Sequence, residues 1–198
     1  MAHITRRDLI LLLLGDADKK SERLGGITRL QKLIYLLGKE GGLKPDGEGF
    51  EFEAYKAGPY SPRVYDDLEF LENLGLLKSE VTDVATDSEA AEIEEIDQLE
   101  FDDLFEEKRG NESGDTSGPM PDAYEERQFE LTEAGLAKFK SLRDDERFQP
   151  AIDAVRKIKS RFGNYSLDDL LYYVYSKYPD MTTESEIKDR VLARRSRQ

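Results

Sequence analysis

The chain predicts a mainly α fold with a small antiparallel β-hairpin or sheet, organised as a winged helix-turn-helix with extra C-terminal helices. Three observations predict it. In TRLQKLIYLLGKEGG, Leu30, Leu33, Ile34 and Leu37 fall at i, i+3, i+4 and i+7, the stripe of a core-facing helix. Residues 50–78, FEFEAYKAGPYSPRVYDDLEFLENLGLLK, read as strand, sharp turn, helix and second strand. Residues 128–131, QFEL, then supply an antiparallel partner for residues 76–78, and LTEAG opens a further helix. Two helices, a strand, a helix, a hairpin and another helix make the winged version of the helix-turn-helix.

The first helix spans about residues 5–16, with Thr5 and Asp8 spaced as a capping box. Arg6-Arg7 ahead of the apolar run Leu9 to Leu14 has the look of an export signal. The run is too short for a secretory core and ends at Gly15-Asp16 without a small-residue cleavage site. The reading is a buried helix, and the expected location is cytoplasmic. Residues 16–26, DADKKSERLGG, form a loop. Thr28 opens the second helix, with Arg29, Lys32 and Lys39 on its surface and Gly41-Gly42 at its end.

In the central stretch, Phe50, Phe52 and Ala54 alternate with Glu51, Glu53 and Tyr55, the period of a half-buried strand. Gly58-Pro59 stops that strand. Ser61 then caps a third helix through its side chain, with Pro62 at the first helical position. Val64, Leu68, Leu71 and Leu74 form its buried stripe, and Gly75 takes the left-handed residue that ends it. Thr132 caps the helix EAGLAKFKSL. Residues 150–161 form a helix with Ile152, Val155 and Ile158 inward. Ser166 and Asp169 cap SLDDLLYYVYSKY, where Leu167, Leu170, Leu171, Val174, Tyr175 and Tyr178 build a wide apolar face. Pro179 ends it, and Thr183 with Glu186 caps a last helix running into ARRSRQ.

The net charge of −14 is located in one place: residues 81–127 hold 3 basic and 17 acidic residues. This segment, rich in Ser, Gly, Asp and Glu, reads as a mobile insertion in the wing. Ile93, Ile96, Leu99, Phe101, Leu104 and Phe105 suit a short amphipathic helix around residues 90–107. Two readings stand for it: a solvated loop without a role, or an acidic arm that competes with nucleic acid or docks on a partner. The expected organisation is a winged-helix domain over residues 1–145 carrying this insertion, and a helical extension over residues 146–198 packing on it.

The chain has no Cys, and its one His is His3, so His-dependent triads and zinc sites built on Cys or His fall away. No G-x-x-x-x-G-K-[ST], G-x-G-x-x-G or H-E-x-x-H occurs. The expectation is a protein that is not an enzyme, with no cofactor, metal, small-molecule ligand or membrane partner.

TRLQKLIYLL, residues 50–77 and FELTEAG together resemble prokaryotic winged-helix proteins of the YwgA type. More distantly the pattern is similar to the SocA-like antitoxin, or Panacea, domain. Leu30-Gln31-Lys32-Leu33 and Gly58-Pro59-Tyr60-Ser61 are its most specific pieces. The resemblance implies a winged-helix fold, and a DNA-binding regulator or antitoxin-like factor. The acidic insertion departs from the short wing of that group.

DNA binding needs cations aimed at phosphates and a helix able to enter the major groove. The third helix carries Arg63 against Asp66, Asp67, Glu69 and Glu72, so only its N-terminal end suits a phosphate. The candidate DNA-binding residues are therefore Lys56, Tyr60, Ser61 and Arg63, with Arg127 at the wing base. Arg6, Arg7, Arg29 and Lys32 would add to them if they shared a face. The expected function is a DNA-binding winged-helix protein whose acidic wing insertion modulates affinity. The alternative is a non-enzymatic winged-helix adaptor for a protein partner. Homodimerisation fits either, through the C-terminal helices.

Overall fold

The computed structural model describes residues 4–15, 24–83 and 125–194. Helix α1 (Arg6–Leu14) opens with a closed capping box: the Thr5 hydroxyl accepts the Asp8 N–H, and the Asp8 carboxylate takes the Thr5 N–H. Leu9 to Leu14 are all buried, so α1 is a core helix. Strand β1 (Leu24–Gly25) was not expected; two residues are too few to show a period. Helix α2 (Ile27–Lys39) starts just ahead of Thr28, with Gly26 at the cap position at φ 68° and Thr28 buried within the helix. Leu30, Leu33, Ile34 and Leu37 are buried as expected, and so is Tyr35. Lys32, expected on the surface, is fully buried.

Strands β2 (Glu53–Tyr55) and β3 (Gly58–Tyr60) form an antiparallel hairpin turning at Lys56-Ala57. The strand expected from residue 50 is thus confined to 53–55. Gly58-Pro59, read as a stop, lies inside the returning strand. Pro59 sits opposite Ala54 in a two-stranded ribbon, where each strand has an open side and a missing N–H is tolerated. Gly58 has φ 94°, and a Cβ there would stand 2.8 Å from the Tyr175 ring, so both backbone and space call for glycine.

Helix α3 (Pro62–Asn73) follows. Ser61 occupies its cap position, but its hydroxyl donates to the Phe50 carbonyl instead of accepting from the helix. The Ser61 backbone is held by the Gln31 amide. The Ser61 N–H donates to Gln31 Oε1 at 3.1 Å, and Gln31 Nε2 donates to the Ser61 carbonyl at 3.0 Å. Both residues are buried. Val64, Leu68 and Leu71 face the core as expected, whereas Leu74 is 56% exposed. The helix ends at Asn73 and Gly75, at φ 67°, turns the chain, so the buried stripe stops at Leu71, short of what its spacing suggested.

Strands β4 (Leu77–Asp83) and β5 (Glu125–Leu131) pair from Leu77 opposite Leu131 to Asp83 opposite Glu125. The expected pairing with residues 129–131 is present, starting at Leu77, one residue later than expected, and it continues further. The sheet order is β1-β5-β4, so the chain is mainly α with small antiparallel sheets, as expected. The helix expected around residues 90–107 lies outside the described residues.

Helix α4 (Glu133–Arg143) is capped by Thr132, whose hydroxyl accepts the Gly135 N–H at 3.1 Å. A Cβ on Gly135 would meet the Leu76 carbonyl oxygen, which explains the glycine in LTEAG. A 3-10 turn (Glu146–Phe148) leads to α5 (Gln149–Phe162), then α6 (Leu167–Lys177), capped by Ser166 at the Asp169 N–H. A second 3-10 turn (Pro179–Thr182) precedes α7 (Lys188–Arg194). The last helix begins later than Thr183, because the Glu186 N–H goes to the Lys56 carbonyl at 3.0 Å. Helix α5 lies on α1 and α2, and α6 on α2 and β3. One apolar cluster joins Leu9, Leu33 and Leu68 to Ile158, Leu170 and Val174. The apolar face of α6 is thereby turned into this chain's own core. Among the described residues no helix is long and apolar enough to cross a membrane.

Gln31→Leu keeps the size of the side chain and strands two buried backbone groups of Ser61. At about 1–3 kcal/mol for each unsatisfied group, unfolding stability should fall by about 2–6 kcal/mol. Urea titration should show a lower midpoint with an unchanged slope.

Candidate functional site

Four of the five candidate DNA-binding residues, Lys56, Tyr60, Ser61 and Arg63, have described contacts within the chain. Arg63, on the first turn of α3, donates to the Gly49 carbonyl at 3.0 Å. It also pairs with Glu48 at 2.9 Å and Glu51 at 2.7 Å. Two carboxylates thus share the Arg63 guanidinium. Ser61 is buried as described above. Tyr60 is buried and packed between Tyr55, at 4.7 Å between ring centres, and Tyr65, at 5.9 Å. Lys56 lies at the hairpin turn, 4.0 Å from the Glu186 carboxylate. Arg127 stands in β5 opposite Val81. Tyr60, Ser61 and Arg63 thus lie at the start of α3, while Lys56 is at the hairpin turn and Arg127 in β5.

The supporting cations are also taken up within the chain. Arg6 and Arg7 converge on Asp67 of α3, at 2.7 Å and 2.9 Å, and Asp67 is 1% exposed. Arg6 also donates to the Glu48 carbonyl at 3.1 Å, so it reaches the same loop as Arg63. Arg29 donates to the Tyr165 carbonyl at 2.8 Å, far along the chain in the C-terminal part. Lys32 is inside the protein.

The outward side of α3 has a different character. Phe70 is 40% exposed and Leu74, at the C-cap one turn on, is 56% exposed; they are the exposed large hydrophobic residues among those described. The Arg7 guanidinium lies over the Phe70 ring, 3.5 Å from its centre. Asp66, Glu69 and Asn73 are exposed on the same helix. The sequence held a signal for Phe70 but not for Leu74, whose spacing put it in the buried stripe. Phe70 is two residues from Leu68, about 200° around a helix, on the side away from the buried stripe.

A second polar cluster ties α2 to the C-terminal helices. The Glu40 carboxylate, just past the end of α2, accepts from Tyr173 at 2.5 Å, Lys177 at 2.9 Å and Tyr178 at 3.1 Å. Arg161 of α5 pairs with its other oxygen at 2.7 Å. Burial alone would push the Glu40 carboxyl up, but the hydrogen bonds from Tyr173, Lys177 and Tyr178 outweigh it, and the net shift is downward. Burial, with Tyr178 and Asp180 nearby, pushes the Tyr35 phenol up to about 12. The cluster's donors are spent on Glu40, so it works as a clamp on three helices. Among the described residues no group of His, Asp or Glu is arranged to hold a metal ion.

A scan against protein-family models finds no match, and searches of curated proteins and of solved structures find none either.

The Glu40 clamp makes a pH-dependent contribution of definite sign. A carboxyl lowered in the folded state stabilises fully above its ordinary value of 4.5, and the effect fades as pH falls through the lowered value. Glu40→Gln should therefore cost stability at pH 7, and the gap to the parent chain should narrow steadily below about pH 4.5. Urea midpoints measured for both proteins between about pH 3 and 7 check this.

Proposed function

We propose that this protein is a non-enzymatic winged-helix adaptor that presents α3 to a protein partner, not to a DNA groove. The observation that carries the reading is the pair Phe70 and Leu74, the exposed large hydrophobics of the described residues, one turn apart at the C-terminal end of α3. Residues at i and i+4 share a face, so they form a two-anchor apolar strip. Asp66 and Glu69 border it, the Arg7 guanidinium covers one side of the Phe70 ring, and α3 carries Arg63 against four acids. An acidic rim around an apolar strip complements an amphipathic helix with leucine-like residues on one side and lysine or arginine beside them. The same helix is a poor match for a polyanion. Its own cation is paired with Glu48 and Glu51, and Arg6 and Arg7 are held on Asp67.

A designed amphipathic peptide with a leucine face flanked by lysines serves as the probe, read by fluorescence anisotropy on the full chain. It should bind, and Phe70→Ser/Leu74→Ser should weaken binding by about tenfold or more, since about 1.4 kcal/mol is a factor of ten and each buried anchor is worth at least that. The double variant keeps the net charge, so the loss separates α3 from general attraction to the acidic segment. Labelled duplex DNA is run alongside at low salt. Duplex binding that follows log salt linearly and weakens with Arg63→Ala, together with no effect of the double variant on the peptide, would overturn the adaptor reading.

A further inference from the structure

Arg6 and Arg7 meet the same carboxylate but do not engage it equally. Arg6 donates to Asp67 through Nε at 2.7 Å and Nη2 at 3.4 Å, and its Nη1 donates to the Glu48 and Gly49 carbonyls. All three of its nitrogens are engaged. Arg7 reaches Asp67 through Nε alone, at 2.9 Å. Among the described residues no acceptor is hydrogen-bonded to Arg7 Nη1 or Nη2. Two guanidinium groups against one carboxylate leave one positive charge over. It resides on the outer of the two, since the Arg7 side chain is 42% exposed and that of Arg6 20%. The Arg7 guanidinium also lies 3.5 Å from the centre of the Phe70 ring, which fixes it beside the apolar strip.

Positions around α3 give the strip two unlike flanks. At about 100° per residue, Asp67 lies about 60° to one side of Phe70, whereas Asp66 and Glu69 lie about 40° and about 100° to the other. Arg7, anchored on Asp67, therefore stands on the flank opposite the exposed acids. We infer that Arg7 is a specificity-determining residue of the α3 surface, and that the occupant is a peptide helix carrying a Glu or Asp carboxylate on the side that meets it. The inference rests on the adaptor reading and narrows the partner: leucine-like residues along the centre, lysine or arginine toward Asp66 and Glu69, and an acid toward Arg7. A guanidinium is planar and presents its two terminal nitrogens as a pair, which one carboxylate takes in two parallel hydrogen bonds. The Nε bond to Asp67 and the contact with Phe70 already hold the side chain, so little rotamer freedom is lost on binding. The charge of the whole chain makes the effect diagnostic. At −14, it disfavours a ligand that gains an acid. A gain in affinity from an added carboxylate is therefore the signature of a local cation.

The test is a double-mutant cycle on the full chain, read by fluorescence anisotropy. Two designed helical peptides share a leucine face and lysines along one flank, and carry either glutamate or glutamine at one position on the other flank. The parent chain should bind the glutamate peptide about threefold or more tightly than the glutamine peptide, against the sign that net charge alone would give. In Arg7→Gln the preference should vanish or reverse. Arg7→Lys keeps the charge without the planar fork and should retain part of it. Each variant is judged by the ratio of the two affinities, which a partial loss of folded protein leaves unchanged. A purely structural role for Arg7 would weaken both peptides alike and leave that ratio intact. A parent chain that binds the two peptides equally, or a preference for glutamate that survives Arg7→Gln, overturns the inference. If both peptides bind equally and Phe70→Ser/Leu74→Ser weakens both, the adaptor reading stands and the role of Arg7 falls. If neither peptide binds the parent chain, the adaptor reading falls and takes this inference with it.

Discussion

The clasp between Gln31 and Ser61 fixes the relation of α2 to α3, and the hairpin, the third helix and the surface it presents all follow from it. A side-chain amide offers one donor and one acceptor in a plane, the same pair a strand neighbour would offer. Gln31 uses both on the backbone of Ser61, immediately before α3 begins. Ser61 in turn donates its hydroxyl to Phe50, drawing in the segment ahead of the β2–β3 hairpin. Because Gln31 and Ser61 are both buried, the alternative to the clasp is an unsatisfied polar group, and the geometry is held firmly.

The same geometry governs the electrostatics. Seating α3 on α1 brings Asp67 inside, where a lone carboxylate would be costly, and Arg6 and Arg7 of α1 supply the compensation. Arg63 is met by Glu48 and Glu51 from the loop before the hairpin. The cations nearest the third helix are thereby internal struts. What α3 offers outward is carboxylate, Phe70 and Leu74.

The C-terminal helices complete the core. Leu167, Leu170, Leu171, Val174 and Tyr175 fill the space against α2 and β3, and Tyr175 also closes over Gly58. Glu40 gathers Arg161, Tyr173, Lys177 and Tyr178 in the same packing. An apolar face that reads as core or as a dimer seam in one dimension is used within the chain in three.

Elements with a local signal were legible from the order of residues alone. Thr5, Thr132 and Ser166 cap helices because a short hydroxyl reaches an N–H three residues on, and Gly75 ends α3 because glycine is at ease at positive φ. The stripe of α2 and the pairing of residues 76–78 with 129–131 follow from spacing and alternation. Other features were settled in space. Pro59 sits inside a strand because its neighbour lies on one side alone, and β1 exists because β5 is there to pair with it. Ser61 turns from cap to buried donor because Phe50 comes within reach. Whether Arg63, Arg6, Arg7 and Lys32 faced solvent or protein was likewise invisible in one dimension, since a charge's partner is chosen by distance in space and not by position along the chain.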